Sequence, residues 1–189
     1  MIQIPHIVFQ ASLVAWALLE AWIIIRDRWR PVTRVNRARQ GGITLIMIIV
    51  FLIANRVSKS DPFPMPGRPL VLLPIGDCLL WCGLALRLWS VLTLGKFFRA
   101  SLVVQENHQV IQAGPYKLLR HPSNSGILLA CLGLGVALGD WLGLVLILLL
   151  SVGAIYYRIV VEERLLIQRL GREYLQYIQH TKRLIPFIF

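Results

Sequence analysis

The chain has 189 residues, of which 57% are apolar and only 15% are charged, and its mean hydropathy is +0.66. Soluble domains are less apolar than this, so the composition predicts one integral membrane domain. The formal net charge of +11 is distributed over several segments that flank apolar runs, which argues against a nucleic-acid-binding protein. The three cysteines lie inside apolar runs, at spacings that fit neither a disulfide framework nor a zinc site, and we expect no metal.

Five apolar segments have the length, or nearly the length, of about 20 residues that a helix needs to cross a bilayer. They are predicted to cover residues 7–25, 42–57, 71–94, 125–138 and 141–157. The second and fourth are short for a complete crossing. Because lipid offers no partner to free backbone groups, each segment must be helical. The predicted fold class is therefore an all-α integral membrane protein with about five transmembrane helices, in which residues 1–189 form a single membrane domain.

Lysine and arginine residues are concentrated after the first, third and fifth segments, and the turn of the last hairpin has none. By the positive-inside rule, the N-terminus lies outside and the C-terminus lies in the cytosol, as an odd number of spans requires. We expect a multi-pass protein of a prokaryotic inner membrane. Its polar cytosolic segments are predicted at about residues 95–124 and 158–189.

The first cytosolic segment has a turn-like Asn107-His108 pair between β-prone runs, followed by Gly114-Pro115-Tyr116 and Arg120-His121-Pro122. Residues 116–120 are predicted to form a short helical turn. This turn ends before Pro122, because a proline disfavours helix at the residue that precedes it. In the second segment, residues 158–180 are predicted to continue the fifth span as an amphipathic helix. The evidence is apolar spacing along one helical face, at Leu166, Leu170, Tyr174 and Tyr177.

Some polar and small residues of the spans also have structural explanations. Arg158 and Glu162 are four residues apart, a spacing that gives a surface ion pair worth a few tenths of a kcal/mol. Arg87 lies near the cytosolic end of the third span, where it can snorkel or line a cavity. Gly135 and Gly139 have a small-xxx-small spacing that allows close helix approach, and no nucleotide-binding motif surrounds them.

Together these motifs resemble the isoprenylcysteine carboxyl methyltransferase and phospholipid methyltransferase group of integral membrane enzymes, over about residues 94–186. Two motif clusters flank a membrane hairpin in the order expected of that group. Their residues are Gly114, Pro115, Tyr116, Arg120, His121, Pro122 and Gly126 before and within it, and Arg158, Glu162, Glu163, Leu166, Leu170, Gly171, Tyr174, Tyr177, Arg183 and Pro186 after it. One position departs, because Asn124 stands where the family usually has an aromatic residue, most often tyrosine, at one wall of the site.

The resemblance implies a methyltransferase that uses S-adenosylmethionine, releases S-adenosylhomocysteine, and binds the cofactor at the cytosolic face without a Rossmann domain. The implied cofactor-binding residues are Gln105, His108, Tyr116, Arg120, His121, Glu162 and Glu163. Paired carboxylates suit the cationic sulfonium and ammonium groups, and Arg120 or His121 suits the cofactor's carboxylate. The resemblance also implies a lipophilic acceptor that enters from the bilayer. We expect Arg158, Asn124 and Arg87 to contact this acceptor, with Arg158 and Glu163 as catalytic residues.

The expected reaction is carboxyl O-methylation of an isoprenylcysteine-like substrate, in which Arg158 holds the carboxylate and no base is needed. An alternative is N-methylation of a phospholipid or another lipid amine, which requires Glu163 or His121 as a base. An alternative of another class is a non-catalytic membrane scaffold that retains the fold. A transporter is disfavoured because the spans contain no internal repeat. Membrane lipids are expected partners, and the sequence identifies neither the acceptor nor the oligomeric state.

Overall fold

The computed structural model describes residues 3–28, 52, 56, 63–66, 69–98 and 110–185. Within these ranges the regular secondary structure is helical, and the β-type pairing is limited to two isolated bridges. The α-helices are α1 (Gln3–Arg28), α2 (Pro69–Leu94), α3 (Pro122–Leu138), α4 (Trp141–Leu170) and α5 (Arg172–His180). Two short 3-10 turns, Gly95–Phe97 and Gly114–Lys117, lie between α2 and α3.

Three of the described helices are long and apolar enough to cross a membrane, namely His6–Arg26, Val71–Leu94 and Trp141–Leu170. They correspond to the first, third and fifth predicted spans. The shorter apolar α3 contains the fourth and begins at Pro122 rather than at residue 125. The predicted span 42–57 lies outside the described residues except for two isolated positions. The chain is therefore a helical membrane protein, as its composition predicts.

Helices α1 and α2 pack side by side and run in the same direction. Near the middle of both helices, Trp81 Nε1 donates a hydrogen bond to Ser12 Oγ at 2.9 Å. Near their ends, Arg26 Nη2 donates to the carbonyl of Gly95 at 2.7 Å. Helices α1 and α2 are therefore parallel. This is the arrangement expected of two membrane spans that are separated in the sequence by one further span.

Helices α2 and α3 approach closely through glycines on facing sides. A Cβ on Gly83 would lie 2.5 Å from the Gly126 carbonyl oxygen, and one on Gly76 would lie 2.5 Å from the Gly133 carbonyl oxygen. In each helix the two glycines are seven residues apart, which is about two turns, so they share a face. The pairing is antiparallel and brings backbone against backbone, as small residues allow in membrane helices.

The α3–α4 hairpin turns at Gly139, which adopts a left-handed conformation with φ of 71°. The predicted small-xxx-small pair therefore separates into two roles, since Gly135 packs against Leu144 of α4 while Gly139 reverses the chain. The buried Asp140 caps α4 by accepting a hydrogen bond from the Gly143 amide at 2.7 Å. Its second oxygen accepts from the Phe63 amide at 3.0 Å, which fastens residues 63–66 to the hairpin turn.

The prediction of one continuous helix over residues 158–180 is wrong. Helix α4 ends at Leu170, and Gly171 adopts φ 54° and ψ −121° before α5 begins. Glycine reaches this positive φ at little cost because it has no Cβ. The break allows α5 to take its own direction, and Tyr174 and Tyr177 of α5 are buried.

Candidate functional site

The sequence motifs converge at one end of the helical bundle, where the C-terminal residues pair with the segment before α3. We call residues 181–185 the C-terminal strap. The Arg120 amide donates to the Lys182 carbonyl at 2.7 Å, and the His121 amide donates to the Arg183 carbonyl at 3.1 Å. The strap is fastened further by Ser125 Oγ, which donates to the Leu184 carbonyl at 2.6 Å. The backbone of the Arg-His-Pro motif is thus held by the C-terminal strap.

Glu163 of α4 lies at the centre of this region and accepts hydrogen bonds from two guanidinium groups. Arg120 Nε donates to its Oε1 at 2.9 Å, and Arg183 Nη2 lies 2.9 Å from its Oε2. His121 Nε2 lies 3.5 Å from Oε1, at the outer limit of a hydrogen bond. Buried charges are usually paired, so Glu163 connects the motif segment, α4 and the strap, and the two arginines leave the cluster with an excess of positive charge.

Arg120 also fixes the C-terminal end of α5. Its Nη1 donates to the Ile178 carbonyl at 3.2 Å and to the Thr181 carbonyl. The last carbonyls of a helix have no partner within the helix, and a cation there also complements the helix dipole. Most of the hydrogen bonds that Arg120 donates therefore go to other groups of the protein, and Arg120 holds α4, α5 and the motif segment together.

A group of buried tyrosines joins α5 to the 3-10 turn at Gly114–Lys117. Tyr177 OH donates to the Tyr116 carbonyl at 2.7 Å, and the Tyr174 and Tyr177 ring centroids are 5.9 Å apart. Burial raises the pKa of Tyr177 and the pKa of Tyr174 well above the ordinary value. Both phenols are therefore protonated at physiological pH, and the Tyr177 hydroxyl already uses its proton in the bond to Tyr116.

Tyr116 is a buried residue whose phenol is influenced by charges on two different helices. Burial raises the pKa of its phenol well above the ordinary value, and the negative charge of Glu162 on α4 raises it further. The positive charge of Arg87 on α2 acts in the opposite direction. The Tyr116 side chain is thus within electrostatic reach of both helices.

The consecutive residues Glu162 and Glu163 have different surroundings. Neighbouring positions on an α-helix point about 100° apart, so only Glu163 faces the buried cluster. Glu162 is partly exposed, and one of its oxygens lies 3.7 Å from Arg158 Nε. The spacing of Arg158 and Glu162 thus produces the predicted ion pair, in which the two side chains are 16% and 32% exposed.

The remaining predicted site residues fall into two groups. Asn124 is buried in the first turn of α3, and Arg87 is buried where it contacts Glu20 of α1 and Ser123 of α3. Gln105 and His108 lie outside the described residues. Sequence reasoning did not single out Glu20, although a carboxylate inside an apolar span was a usable signal.

Four buried side-chain polar atoms of the described residues have no hydrogen-bond partner: Asp77 Oδ1, Arg87 Nε, His121 Nε2 and Tyr174 OH. The last two, His121 Nε2 and Tyr174 OH, lie in the candidate site. Buried polar groups are nearly always hydrogen-bonded, so these atoms mark positions that a polar ligand can complete. Both side chains belong to the region around Glu163. S-adenosylmethionine carries a carboxylate, an ammonium and ribose hydroxyls, so the polar atoms present fit that cofactor.

Comparisons with known proteins include the segment that contains Arg120, His121 and Glu163. The family model described as phospholipid methyltransferase matches residues 71–173, more than half of the chain. A "probable protein-S-isoprenylcysteine O-methyltransferase" of Oryza sativa subsp. indica is 29% identical over 145 residues, which are 76% of each chain. Protein-S-isoprenylcysteine O-methyltransferase B of Arabidopsis thaliana is 30% identical over 115 residues, covering 60% of this chain and 58% of the relative.

A solved structure also resembles this fold. The eukaryotic intramembrane Ras methyltransferase, isoprenylcysteine carboxyl methyltransferase, aligns with a TM-score of 0.59 at 22% sequence identity. The alignment covers 95% of this chain and 62% of the solved chain, so the present chain spans less than two thirds of that protein. At this identity the likeness establishes a shared fold.

Proposed function

Because the chain belongs to the phospholipid methyltransferase family, we propose that it transfers a methyl group from S-adenosylmethionine to the carboxylate of a lipophilic, isoprenylcysteine-like acceptor. The observation that carries the proposal is the convergence of Arg120, His121 and Glu163 beside two buried polar atoms that lack partners. The names of the plant relatives support the choice of acceptor.

The proposed cofactor site lies between the segment before α3 and the end of α4. His121 Nε2 and Tyr174 OH would hydrogen-bond polar groups of the cofactor, and Tyr116 would line the site beside them. Glu162, which is partly exposed, would face the cationic end. When bound, the cofactor supplies an electrophilic methyl group on a sulfonium. Gln105 and His108 complete the proposed set from the segment outside the described residues.

The acceptor carboxylate is proposed to bind Arg158. A carboxylate is ionised at neutral pH and is itself the nucleophile, so the reaction needs no general base. Arg158 would therefore orient the acceptor in line with the methyl group, and catalysis would come mainly from proximity and alignment. Glu162 lies 3.7 Å from Arg158 Nε and would hold the guanidinium in place. Asn124 and Arg87 are the proposed lining residues on the side of α2 and α3.

We propose that Glu163 acts by fixing the geometry of Arg120 and His121. Its carboxylate already accepts hydrogen bonds from two guanidinium groups, which stabilise the ionised form and weaken it as a base. For the alternative reaction, N-methylation of a lipid amine, His121 Nε2 is the better-placed base. The description of the family model, phospholipid methyltransferase, is the observation that favours this second candidate.

The orientation with the N-terminus outside and the C-terminus in the cytosol is part of the proposal. It places the Glu163 cluster and the strap on the cytosolic side, where a water-soluble cofactor is available. The origin in a prokaryotic inner membrane is an expectation that the comparisons leave unsupported, since the relatives reported above are eukaryotic.

The test is methyl transfer from methyl-labelled S-adenosylmethionine by the full chain in lipid nanodiscs, with prenylcysteine analogues or a membrane lipid extract as acceptors. Label that base releases as methanol identifies a methyl ester, whereas base-stable label in lipid identifies N-methylation. The variant His121→Ala is expected to lose S-adenosylhomocysteine binding, and the exposed His180→Ala is the matched control. No label and no S-adenosylhomocysteine binding by the wild type would refute an enzyme and favour the scaffold.

A further inference from the structure

Inside the membrane-spanning region, Arg87 of α2 connects two other helices. Its Nη2 donates to Glu20 Oε2 of α1 at 2.6 Å, and its Nη1 donates to Ser123 Oγ of α3 at 2.9 Å. The Arg87 side chain is only 9% exposed and that of Glu20 is 30% exposed. Three helices are thus joined through one guanidinium group.

A buried ion pair is a costly way to hold membrane helices together. Ionisable groups in membrane spans are expensive and usually mark function, whereas neutral polar contacts suffice to join helices. The same pair of helices contains such a neutral contact, since Trp81 donates to Ser12 at 2.9 Å. Packing α1 on α2 therefore does not by itself require Glu20 and Arg87.

The contact between Arg87 and Ser123 lies next to the proposed cofactor site. Ser123 lies in the first turn of α3, two residues after His121. The His121 carbonyl accepts from the amides of Asn124 and Ser125, at 3.0 Å and 3.1 Å, so it belongs to the same turn. A displacement of Ser123 would consequently move the His121 backbone and its imidazole.

The planar guanidinium makes this connection directional. Arginine presents its donors in a rigid planar fork. When the Nε and Nη2 side of the Arg87 guanidinium lies against the Glu20 carboxylate, the direction of Nη1 is therefore fixed. Here Nη2 donates to Glu20 Oε2, Nε lies 2.5 Å from Glu20 Oε1 without the geometry of a hydrogen bond, and Nη1 donates to Ser123 Oγ. Glu20 therefore determines the direction in which Arg87 holds Ser123.

We propose that Glu20 is a positioning residue of the methyltransferase site and acts through Arg87 and Ser123 on the α3 turn that carries His121. The inference rests on the proposed function and deepens it, because it ties helix α1 to the site. Helix α1 precedes residues 71–173, the part that matches the family model. In this assignment, the orientation of His121 requires a carboxylate supplied by α1.

The test compares three variants of the full chain in lipid nanodiscs. Glu20→Gln removes the charge that orients Arg87, Ser123→Ala removes the final contact, and the double variant combines them. Ser12→Ala is the matched control, because it removes an α1–α2 hydrogen bond that does not lead to α3. The readouts are hydrogen exchange of the Asn124 and Ser125 amides without ligand, and the affinity for S-adenosylhomocysteine.

Glu20→Gln and Ser123→Ala are each expected to speed exchange in the first turn of α3 and to weaken S-adenosylhomocysteine binding about tenfold, since small misplacements of a binding group are costly. The double variant is expected to be no worse than either single variant, because both interrupt one path. Glu20→Asp should restore part of the affinity. Ser12→Ala should leave exchange in the α3 turn and the affinity at wild-type values.

Two results would overturn the inference. One is a Glu20→Gln variant that matches Ser12→Ala in both readouts, and the other is a double variant whose effects multiply. The amide exchange measurement needs no cofactor, so it separates this inference from the proposed function. Faster exchange in variants of a protein that neither binds cofactor nor transfers methyl would retain the positioning path and refute the methyltransferase. Unchanged exchange in variants of an active enzyme would refute the positioning path alone.

Discussion

The Arg120 guanidinium and the Glu163 carboxylate meet at 2.9 Å across 43 residues of sequence, and each side chain is 8% exposed. The α3–α4 hairpin makes this contact possible because it returns the chain to the end of the bundle from which it left. A paired charge at this burial is far more stable than either charge alone. The ion pair therefore couples the hairpin, the Arg-His-Pro motif and the end of α4.

Glu163→Gln is expected to destabilise the protein and abolish cofactor binding. The neutral amide leaves Arg120 buried without its counter-charge and weakens the hold on Arg183, and breaking a buried pair costs about 3–5 kcal/mol. Thermal unfolding in nanodiscs and S-adenosylhomocysteine affinity measure the two effects. Glu173→Gln, at an exposed position of α5, is the matched control. A Glu163→Gln protein with wild-type stability would contradict the role of the cluster.

Arg158→Ala is expected to raise KM for the acceptor and lower kcat/KM roughly 10- to 100-fold, the range for losing a hydrogen bond to a charged group. The affinity for S-adenosylhomocysteine should stay near the wild-type value, because Arg158 is assigned to the acceptor. Steady-state kinetics with a prenylcysteine analogue and binding calorimetry test both statements. Arg164→Ala removes an exposed arginine from the same helix and should retain full activity. Normal turnover by Arg158→Ala would remove Arg158 from the mechanism.

Gly83→Ala is expected to separate α2 from α3 and to destabilise the protein by about 1–3 kcal/mol or more, as overpacking does. The added Cβ would lie 2.5 Å from the Ala130 amide nitrogen and the Gly126 carbonyl oxygen, neither of which can move independently of its helix. Gly153→Ala is the control, because a Cβ at that position meets no atom within 4 Å. Equal unfolding temperatures for the two variants would show that the close glycine contact is dispensable.

Tyr177→Phe is expected to loosen the turn at Gly114–Lys117 at a cost of about 1–3 kcal/mol, because the Tyr116 carbonyl loses a buried donor. The wild type should also lose stability at alkaline pH. Folding raises the pKa of Tyr177, so its contribution is complete below the unfolded pKa of about 10 and declines as the pH rises above it. Unfolding measured from pH 7 to 11 should decline less steeply for Tyr177→Phe than for the exposed control Tyr156→Phe. Parallel pH profiles would contradict this assignment.

The sequence predicted the membrane class and the spans α1, α2 and α4 because the length of an apolar run is a local property. The motif residues were also visible, since their types and spacing lie within short segments. The helix break at Gly171 was missed, because the apolar spacing on either side of it is compatible with one continuous helix. A glycine alone does not specify that its φ will be positive.

The tertiary structure decided which charges meet. Nothing in the spacing of Glu162 and Glu163 indicates that one is enclosed by Arg120 and Arg183 while the other stays partly exposed beside Arg158. The contact of Glu20 with Arg87 likewise depends on two helices that pack in parallel. Local sequence fixes helix length and polarity, whereas contacts between distant side chains depend on the direction in which each helix faces its neighbours. That direction is set by close backbone packing, such as Gly83 against Gly126, which becomes apparent only when the helices are assembled.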